Sequence, residues 1–447
     1  MKRTISIIGV IAAAAIVLLA QVRIVIEGGD KGAIAIPDFR GAGDAQKYMG
    51  TFNSVLWDAI NESGLFKMVP KTSYPLSVPQ QPSDFKPPTT APRPALGLLL
   101  GDWAGPPVSA NYLAFGYTAA RDNQLVLFGW FYNVTQQDLT NAQVIGKLYF
   151  GTLDDAGARK VAQEFAADIM KQFGAESVMN SKVYFVSDRT GHKEIWSMDW
   201  DGSNQQQFTN YRSITTMPSV SLDGTKIGFT TFTRGTPEIE IFSTDPKRRL
   251  PFYNQRASMN ATPSFSPDGK EVIFSSTAAG EYAQLYIANI NGSNLRRLTS
   301  ARAIDVEPKV NPKTGAEVVF VSGRSGPQQI YKMNIDGADI VRLTTGEGEA
   351  SNPAWHPDGQ HIAFAWTRGF EPGNFNLFIM DVASRDVLQL THGAGRNENP
   401  SWSPDGRRIV FSSRRGRSTQ IFTMLADGTQ VKQLTTAGNN EKPAWGK

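Results

Sequence analysis

Four histidines are the residues of this chain best suited to metal binding or acid–base chemistry: His192, His356, His361 and His392. A metal site needs ligands that converge on one point, whereas these histidines are spread over the repeats described below. No metal ligand is therefore predicted. The run Asp199-Trp-Asp-Gly202 has acidic residues like a calcium loop, but it lacks the glutamate and the spacing of one, so a hairpin turn is favoured.

The sequence also lacks the motif that would carry a catalytic serine nucleophile. A serine hydrolase of the propeller-linked kind needs a Gly-x-Ser-x-Gly elbow after a strand, and Gly416-Arg-Ser-Thr-Gln420 departs from it at the last position. The chain has no cysteine, which excludes disulfides and thiolate metal sites. The arginines between positions 407 and 417 are interpreted as a solvated rim rather than a phosphate site. The sequence thus predicts no catalytic residue, no cofactor and no enzyme activity.

The most regular feature is a box of the form Pro-x-x-Ser-Pro-Asp-Gly that recurs through the C-terminal part. Its copies begin at Pro218, Pro263, Pro308, Pro353 and Pro400, with a truncated copy at Pro443, and the spacings are 45, 45, 45, 47 and 43 residues. Pro-Asp-Gly favours a tight turn, because Pro fixes φ and Gly accepts a left-handed corner. A period of about 45 residues with four short strands is typical of a propeller blade.

The strand count predicts how the ring closes. Second strands begin near Lys182, Lys226, Glu271, Glu317, His361 and Arg408, whereas first strands start one repeat later, at Pro218, and the last one lies at Pro443. Residues 442–447 are therefore predicted to complete the blade that Lys182–Ser187 opens, with Trp445 as its box aromatic. The prediction is an all-β six-bladed propeller over residues 182–447, closed by the C-terminal strand.

Residues 1–181 have a different organisation. A basic start and an apolar run from Ile5 to Ala20 predict a signal peptide of residues 1–20, with an uncleaved membrane anchor as the alternative. Residues 21–175 are predicted to form an α+β domain, and residues 176–181 a linker. The expected elements are helices over Asp44–Ser63 and Lys160–Phe173, a hairpin of Tyr112–Ala119 with Leu125–Asn133, and strands that include Gly32–Phe39 and Ala95–Leu100.

Two stretches are candidates for partner binding. The loops that enter the innermost strands surround the channel mouth, and their short amides and carboxylates suit protein recognition. The candidate residues there are Met259, Asn260, Thr262, Asp305, Glu307, Asn352, Glu398, Asn399 and Glu441. The second stretch alternates apolar and polar side chains, and it can either pair within its own domain or add to the sheet edge of a partner. It consists of Val22, Arg23, Ile24, Val25, Ile26 and Glu27.

The whole pattern resembles the TolB proteins of the Tol-Pal system. The resemblance rests on the strand Val22–Glu27 after a signal peptide, on Ile34-Ala-Ile-Pro-Asp-Phe39, on the hairpin and second helix, and on the six boxes. Departures are Val220 and Val310 in place of the box aromatic. The resemblance implies a periplasmic monomer that supports outer-membrane integrity and constriction during cell division.

The same resemblance implies the partners. The lipoprotein Pal would bind the channel-mouth residues and TolA the N-terminal strand, with other outer-membrane proteins as further partners. No nucleic acid and no membrane span after signal cleavage are expected, and the net charge of +4 gives no reason to expect a nucleic-acid binder. The alternative function is an exported propeller hydrolase or a carbohydrate-binding lectin, against which the missing nucleophile and metal cluster count.

Overall fold

The structure, a computed structural model, describes residues 32–87, 95–136, 138–174, 178, 181–369, 373–393 and 395–447. The predicted signal peptide and the predicted TolA-binding strand, Val22 to Glu27, lie outside these residues. Within the described ranges, no helix combines the length and the apolar character needed to cross a membrane.

The N-terminal region is a mixed sheet with helices on both faces. Its strands are β1 (Ala33–Ala35), β2 (Arg40–Ala42), β3 (Lys67–Met68), β4 (Tyr112–Arg121), β5 (Gln124–Asn133) and β6 (Gln143–Thr152). Its helices are α1 (Met49–Glu62), α2 (Leu100–Ala104), α3 (Leu139–Ala142) and α4 (Asp155–Lys171), with 3₁₀ turns at Gly43–Tyr48, Lys71–Ser73 and Pro82–Asp84. The sheet order is β3-β1-β4-β5-β6, with β2 paired to β4; the first three strands are parallel and β4, β5 and β6 antiparallel.

The two long helices pack on one face of this sheet, as their apolar stripes predict. Phe52 and Leu56 of α1 and Phe165 and Ile169 of α4 are fully buried in the same cluster as the strand residue Leu127. The helix predicted over Asp44–Ser63 is 3₁₀ in its first part and becomes α-helical only at Met49. The predicted hairpin is confirmed, with β4 and β5 joined by a turn in which both central residues have positive φ.

The strand predicted over Ala95–Leu100 is wrong. The chain turns there and enters α2, because the Asp102 carboxylate accepts hydrogen bonds from the backbone N–H groups of Gly97 and Leu99 at 2.8 and 3.2 Å. Trp103 is buried on the second face of the sheet, and its indole N–H donates to the Gly97 carbonyl at 2.9 Å. Apolar runs of this length are compatible with either a strand or a buried helix. The strand predicted over Gly32–Phe39 is confined to the three residues of β1.

Six four-stranded antiparallel sheets follow. In chain order their strands are β7 (Lys182–Ser187), β8 (Glu194–Asp199), β9 (Gln206–Gln207), β10 (Thr215–Val220), β11 (Lys226–Thr231), β12 (Glu238–Ser243), β13 (Arg248–Leu250), β14 (Asn260–Phe265), β15 (Glu271–Ser276), β16 (Gln284–Asn289), β17 (Arg296–Arg297), β18 (Asp305–Val310), β19 (Glu317–Ser322), β20 (Gln329–Asn334), β21 (Val341–Arg342), β22 (Ala350–Trp355), β23 (His361–Trp366), β24 (Asn376–Asp381), β25 (Val387–Gln389), β26 (Arg396–Trp402), β27 (Arg408–Arg414), β28 (Thr419–Leu425), β29 (Lys432–Gln433) and β30 (Asn440–Gly446).

The C-terminal strand closes the ring, as predicted. The sheet order β30-β7-β8-β9 makes β30 the innermost strand of the first blade, with Trp445 opposite Val183. Trp445 is buried, and its indole N–H donates to the Ser181 hydroxyl at 2.8 Å. The prediction of an α+β region followed by a closed six-bladed propeller is confirmed.

Each blade is fixed by polar groups that the repeat places at the same points. In the box turn, the Ser266 hydroxyl donates to Asp268 at 2.6 Å and accepts from the backbone N–H of Glu271 at 3.0 Å. At the outer edge, the fourth strand of five blades is followed by a Leu-Thr or Phe-Thr pair whose threonine is buried. In one of them, the Thr344 hydroxyl donates to Gln329 at 2.7 Å and accepts from the backbone N–H of Ile330 at 2.9 Å. In four other blades an equivalent threonine hydroxyl also donates to a side chain of the third strand; these residues are Thr209, Thr299, Thr391 and Thr435.

Candidate functional site

The channel is lined by one bulged residue from each blade. In β14, Ala261 pairs with Ser275 and Ser264 with Ile273, so that Thr262 and Pro263 together face the single residue Phe274. Such a bulge leaves a residue unpaired and re-aims side chains, and proline fits there because it has no N–H to give to a ladder. The equivalent bulged residues have φ between +52° and +55°: Met217, Thr262, Glu307, Asn352, Asn399 and Lys442.

These six residues surround one cavity on the propeller axis. Its volume is about 80 Å³, and its remaining lining is the five prolines 218, 263, 308, 400 and 443 together with Lys309. A cavity needs roughly 10–15 Å³ to hold one water, so this one has room for several waters or one small polar group. Because the walls combine amides, charges and proline rings, the cavity can hydrogen-bond a ligand group while shielding it from bulk water.

The structure divides the predicted mouth residues into three sets. Thr262, Glu307, Asn352 and Asn399 lie together in the ring around the cavity. Within that ring, the Glu307 carboxylate accepts from the backbone N–H of Asn352 at 2.8 Å and from its side-chain amide at 3.1 Å. The predicted set is thus partly a contiguous site.

The second set is buried between blades. Asn260 is 2 % exposed and its amide donates to the Gln255 carbonyl at 2.9 Å. Asp305 is fully buried and pairs with Arg324 at 2.8 Å. These two side chains are held inside the propeller, where they position the mouth loops.

The third set lies half-buried outside the ring, at the mouth. Glu398 pairs with Arg396 at 2.5 Å, and Glu441 pairs with Lys193 at 2.6 Å. Met259 is also half-buried there, and its backbone N–H donates to the Thr277 hydroxyl at 3.0 Å. These three residues are therefore neither part of the cavity lining nor buried between blades.

Besides the five lining prolines, the candidate residues chosen from the sequence omit three lining residues: Met217, Lys309 and Lys442. Met217 and Lys442 directly precede a box proline, as do the four ring residues that were predicted. The signal that could have found them is therefore position relative to the proline rather than residue type. Lys309 directly follows its proline, and no polar-loop argument would have selected it.

Arginines line the mouth outside the ring. Arg189 donates to the Ser187 hydroxyl at 2.9 Å and lies 4.5 Å from the centre of the Trp196 ring. Arg324 repeats this arrangement with Ser322 and Tyr331 in another blade. A guanidinium over an aromatic face is stabilised by the ring quadrupole and stays charged. Arg324 is ion-paired with Asp305, so of these two arginines only Arg189 adds a positive charge that no ion pair among the described residues offsets.

The N-terminal region packs against the opposite end of the propeller, where the box turns lie. Arg407 donates to the Ser63 carbonyl, and Arg408 donates to the Glu62 carbonyl at 3.1 Å, so that both guanidinium groups cap the C-terminal end of α1. Burial lowers the pKa of Arg408, while the nearby carboxylates of Glu62 and Asp405 act in the opposite direction. The interpretation as a solvated rim is wrong for Arg408, which is buried at this contact, whereas Arg407 stays partly exposed.

Two of the four histidines come together, which the sequence analysis did not anticipate. His356, Asp358 and His361 could place ligand atoms within 4.8 Å of one another. However, His356 Nε2 bonds the Gly406 carbonyl at 3.0 Å, and its Nδ1 accepts from the backbone N–H of Asp358 at 3.1 Å. His356 therefore stabilises the box turn by a side-chain hydrogen bond, at the position where other boxes carry the serine.

The shared carboxylate is engaged in the same way. Burial would raise the pKa of Asp358, but the adjacent His356 ring and hydrogen bonds from the Gln360 N–H and His361 outweigh it and lower the pKa. His361 Nδ1 lies 2.8 Å from Asp358 Oδ2. A metal could use these ligands only by breaking the turn.

Comparison with known proteins decides the family. The family model of the TolB beta propeller domain matches residues 169–367 and 344–447, which together make up more than half of the chain. The chain belongs to the TolB family. The resemblance inferred from the box and the N-terminal motifs is confirmed.

TolB relatives and a TolB structure agree with this assignment. The TolB homolog of Chlorobium luteolum (strain DSM 273 / BCRC 81028 / 2530) is 35% identical over 184 residues, 41% of each chain. The Tol-Pal system protein TolB of Anaeromyxobacter dehalogenans (strain 2CP-C) is 31% identical over 157 residues, 35% of this chain and 36% of that one. The chain thus spans less than half the length of the curated relatives it matches. The crystal structure of TolB from Acinetobacter baumannii has the same fold, with a TM-score of 0.72 and 21% identity over 94% of this chain and 98% of that one.

Proposed function

We propose that this protein is a non-enzymatic periplasmic scaffold of the Tol-Pal system. The proposal is supported by family membership and by relatives that are named Tol-Pal system proteins. In this proposal the signal peptide of residues 1–20 directs export, residues 21–175 and 182–447 act as two domains, and the protein supports outer-membrane integrity and constriction during division.

The observation that carries the proposal is that the described N-terminal region lies at the end of the propeller opposite the channel mouth. The N-terminal region contacts the box-turn end of the propeller, through Arg159 with Asp201 at 3.4 Å and through Arg408. The channel mouth with Met259, Glu398 and Glu441 lies at the other end, where the innermost strands begin. A protein with one partner at each end can connect two structures. We propose that Pal binds the mouth and TolA the N-terminal segment.

The mouth carboxylates are expected to contribute to Pal binding. Glu398→Gln and Glu441→Gln remove a charge at the mouth and keep the side-chain shape, and Met259→Ala removes apolar contact area. At least one of the three substitutions should weaken Pal binding by about tenfold, because interface energy is concentrated in a few residues. Isothermal titration calorimetry with the purified Pal domain measures this effect.

The matched control is Glu317→Gln. Glu317 is also partly exposed and paired with a lysine, Lys332, but it begins a second strand at the box-turn end. It should bind Pal with the parent affinity. Parent affinity in all three mouth variants would place the Pal surface elsewhere.

Deletion of residues 21–29 is expected to abolish TolA binding and to leave Pal binding and the melting temperature unchanged. The reason is that a terminal strand with one apolar face can supply a row of backbone hydrogen bonds to a partner's sheet edge. Binding is measured by surface plasmon resonance with purified TolA, and melting by circular dichroism. A large fall in melting temperature would instead identify a structural first strand.

Two triple variants refine this test. Serine at Val22, Ile24 and Ile26 removes the apolar face, whereas serine at Arg23, Val25 and Glu27 changes the opposite face of the same strand. Only the first variant should lose TolA binding. Retention of TolA binding after the complete deletion would rule out this segment as the partner site.

A further inference from the structure

Lys309 breaks the pattern of the channel wall. Its position in the ladder, one residue past the box proline, is occupied in the other five blades by small residues, Ser219, Ser264, Ala354, Ser401 and Ala444. Small residues are expected where six innermost strands converge on an axis. A lysine there places a long cationic side chain against the cavity, which it lines together with Lys442.

The charges around the cavity do not balance. Lys309 and Lys442 are its two cations, and Glu307 is the only carboxylate among the described residues that line it. The Glu307 oxygens are already bonded by Asn352. Among the described residues, neither ammonium group forms an ion pair or a side-chain hydrogen bond, so the cavity carries one excess positive charge.

Lys309 is half-buried and lies near a second cation, Lys442. Burial lowers the pKa of Lys309; Glu307 partly opposes this effect, and Lys442 adds to it by repulsion. A buried charge is stabilised when a counter-ion and hydrogen bonds replace the water that it has lost. The cavity has room for such a group beside the lysines.

A further hydrogen-bond donor lies on the wall. The Asn399 side-chain oxygen accepts from the Ser412 hydroxyl at 3.0 Å, which directs its amide N–H₂ group away from that contact. Lysine ammonium groups and an amide N–H₂ are the donors that a carboxylate accepts. A single excess positive charge matches a monoanionic carboxylate better than a phosphate dianion.

We propose that the channel cavity binds one carboxylate group between Lys309 and Lys442. The carboxylate can belong to a small organic acid or to an acidic side chain of a protein that docks at the mouth. Both sources present the same chemistry to the two lysines. The site itself does not depend on the proposed function.

The test uses sodium acetate as the probe, with sodium chloride at equal ionic strength as the reference. The full-length protein should bind acetate saturably in calorimetry and should melt at a higher temperature in acetate than in chloride. Lys309→Ser and Lys442→Asn introduce residues that other blades carry at the same positions, and each should weaken acetate binding by about tenfold or more. Lys432→Ser, on the exposed outer strand β29, is the matched control and should bind as the parent does.

A second measurement separates this site from a structural role for Lys309. Without acetate, Lys309→Ser should melt above the parent, because it removes a half-buried ammonium that lacks an ion pair and is repelled by Lys442. A lower melting temperature of Lys309→Ser, together with equal melting of the parent in acetate and chloride, would mean that Glu307 already compensates the charge. Unchanged acetate affinity in both lysine variants would also overturn the proposal.

A further arm, which rests on the proposed function, distinguishes the two sources. If acetate weakens Pal binding, the carboxylate in the site is that of a partner side chain. If acetate binds and Pal affinity is unchanged, the ligand is a free small acid. If Pal does not bind at all, the proposed function fails while the acetate titration still decides the channel site.

Discussion

Removal of residues 442–447 is expected to abolish the cooperative unfolding transition of the propeller. The deletion takes away most of β30, including the buried Trp445, and exposes the inner edge of β7. Loss of a large buried aromatic residue alone typically costs about 3–5 kcal/mol, against a total stability of about 5–15 kcal/mol for a folded protein. Differential scanning calorimetry should show the propeller transition lost or shifted far below that of the parent.

Trp445→Phe is the control for this deletion. It retains the strand and an aromatic ring but removes the indole N–H that donates to Ser181. It should therefore remain folded, with a melting temperature only moderately below that of the parent. A truncated protein that melted at the parent temperature would contradict closure by the C-terminal strand.

The propeller could be predicted because its sequence motifs are repeated from blade to blade. The box proline and the alternating second strand recur in every blade, and the Asp-Gly turn recurs in four of the six box copies, so one irregular copy, such as Asn311 in the serine position, does not obscure the period. Asn311 in fact replaces the serine physically, since its side-chain oxygen accepts from the backbone N–H of Lys313 at 3.0 Å. The C-terminal closure followed from counting first and second strands.

The N-terminal region was predicted less completely because its elements occur once. The helices α1 and α4 have long apolar stripes, which only a helix places on one face. The run Ala95–Leu100 has no period, and the choice between strand and helix depends on hydrogen bonds from Gly97 and Leu99 to Asp102. A local side-chain contact of this kind is invisible in a hydrophobicity pattern.

The channel site was found only in part, and the reason is the bulge. In a regular strand side chains alternate in direction, so Asn260 and Thr262 would share one face. The positive φ of Thr262 breaks this alternation, with the result that Asn260 is buried between blades while Thr262 lines the cavity. Backbone geometry therefore separates Asn260 and Asp305 from Glu307 and Asn352, although all four have polar side chains in the same loops.

The Leu-Thr pair has a structural role that the hydrophobic pattern does not reveal. The pattern indicates only that the pair ends an outer strand. In the structure the threonine hydroxyl is buried and joins two strands, since Thr344 bonds both Gln329 and the backbone N–H of Ile330. The threonine hydroxyl acts both as a donor and as an acceptor, and hydrophobic periodicity carries no information about the acceptor role.

Thr344→Val is expected to lower the free energy of unfolding by about 2–4 kcal/mol, because a buried donor or acceptor left without a partner costs about 1–3 kcal/mol. Valine keeps the shape of threonine but leaves the Ile330 N–H and the Gln329 side-chain oxygen unpaired. Thr344 is fully buried, so water cannot replace the lost bonds without opening the blade. The free energy is measured by denaturant titration followed by tryptophan fluorescence.

The matched substitution Thr314→Val changes an exposed threonine whose hydroxyl accepts one hydrogen bond from the Ala316 N–H at 3.2 Å, and it should lower the free energy of unfolding much less.

The double variant Gln329→Met with Thr344→Val removes one of the two groups that Thr344→Val leaves unpaired. Its loss of unfolding free energy should therefore be smaller than the sum of the losses in the two single variants. It should not reach zero, because Gln329 also donates to the Gly348 carbonyl at 2.8 Å and the Ile330 N–H stays unpaired. If Thr344→Val were no more destabilising than Thr314→Val, the blade would be held by its apolar core alone, and the recurrence of threonine after leucine would need another explanation.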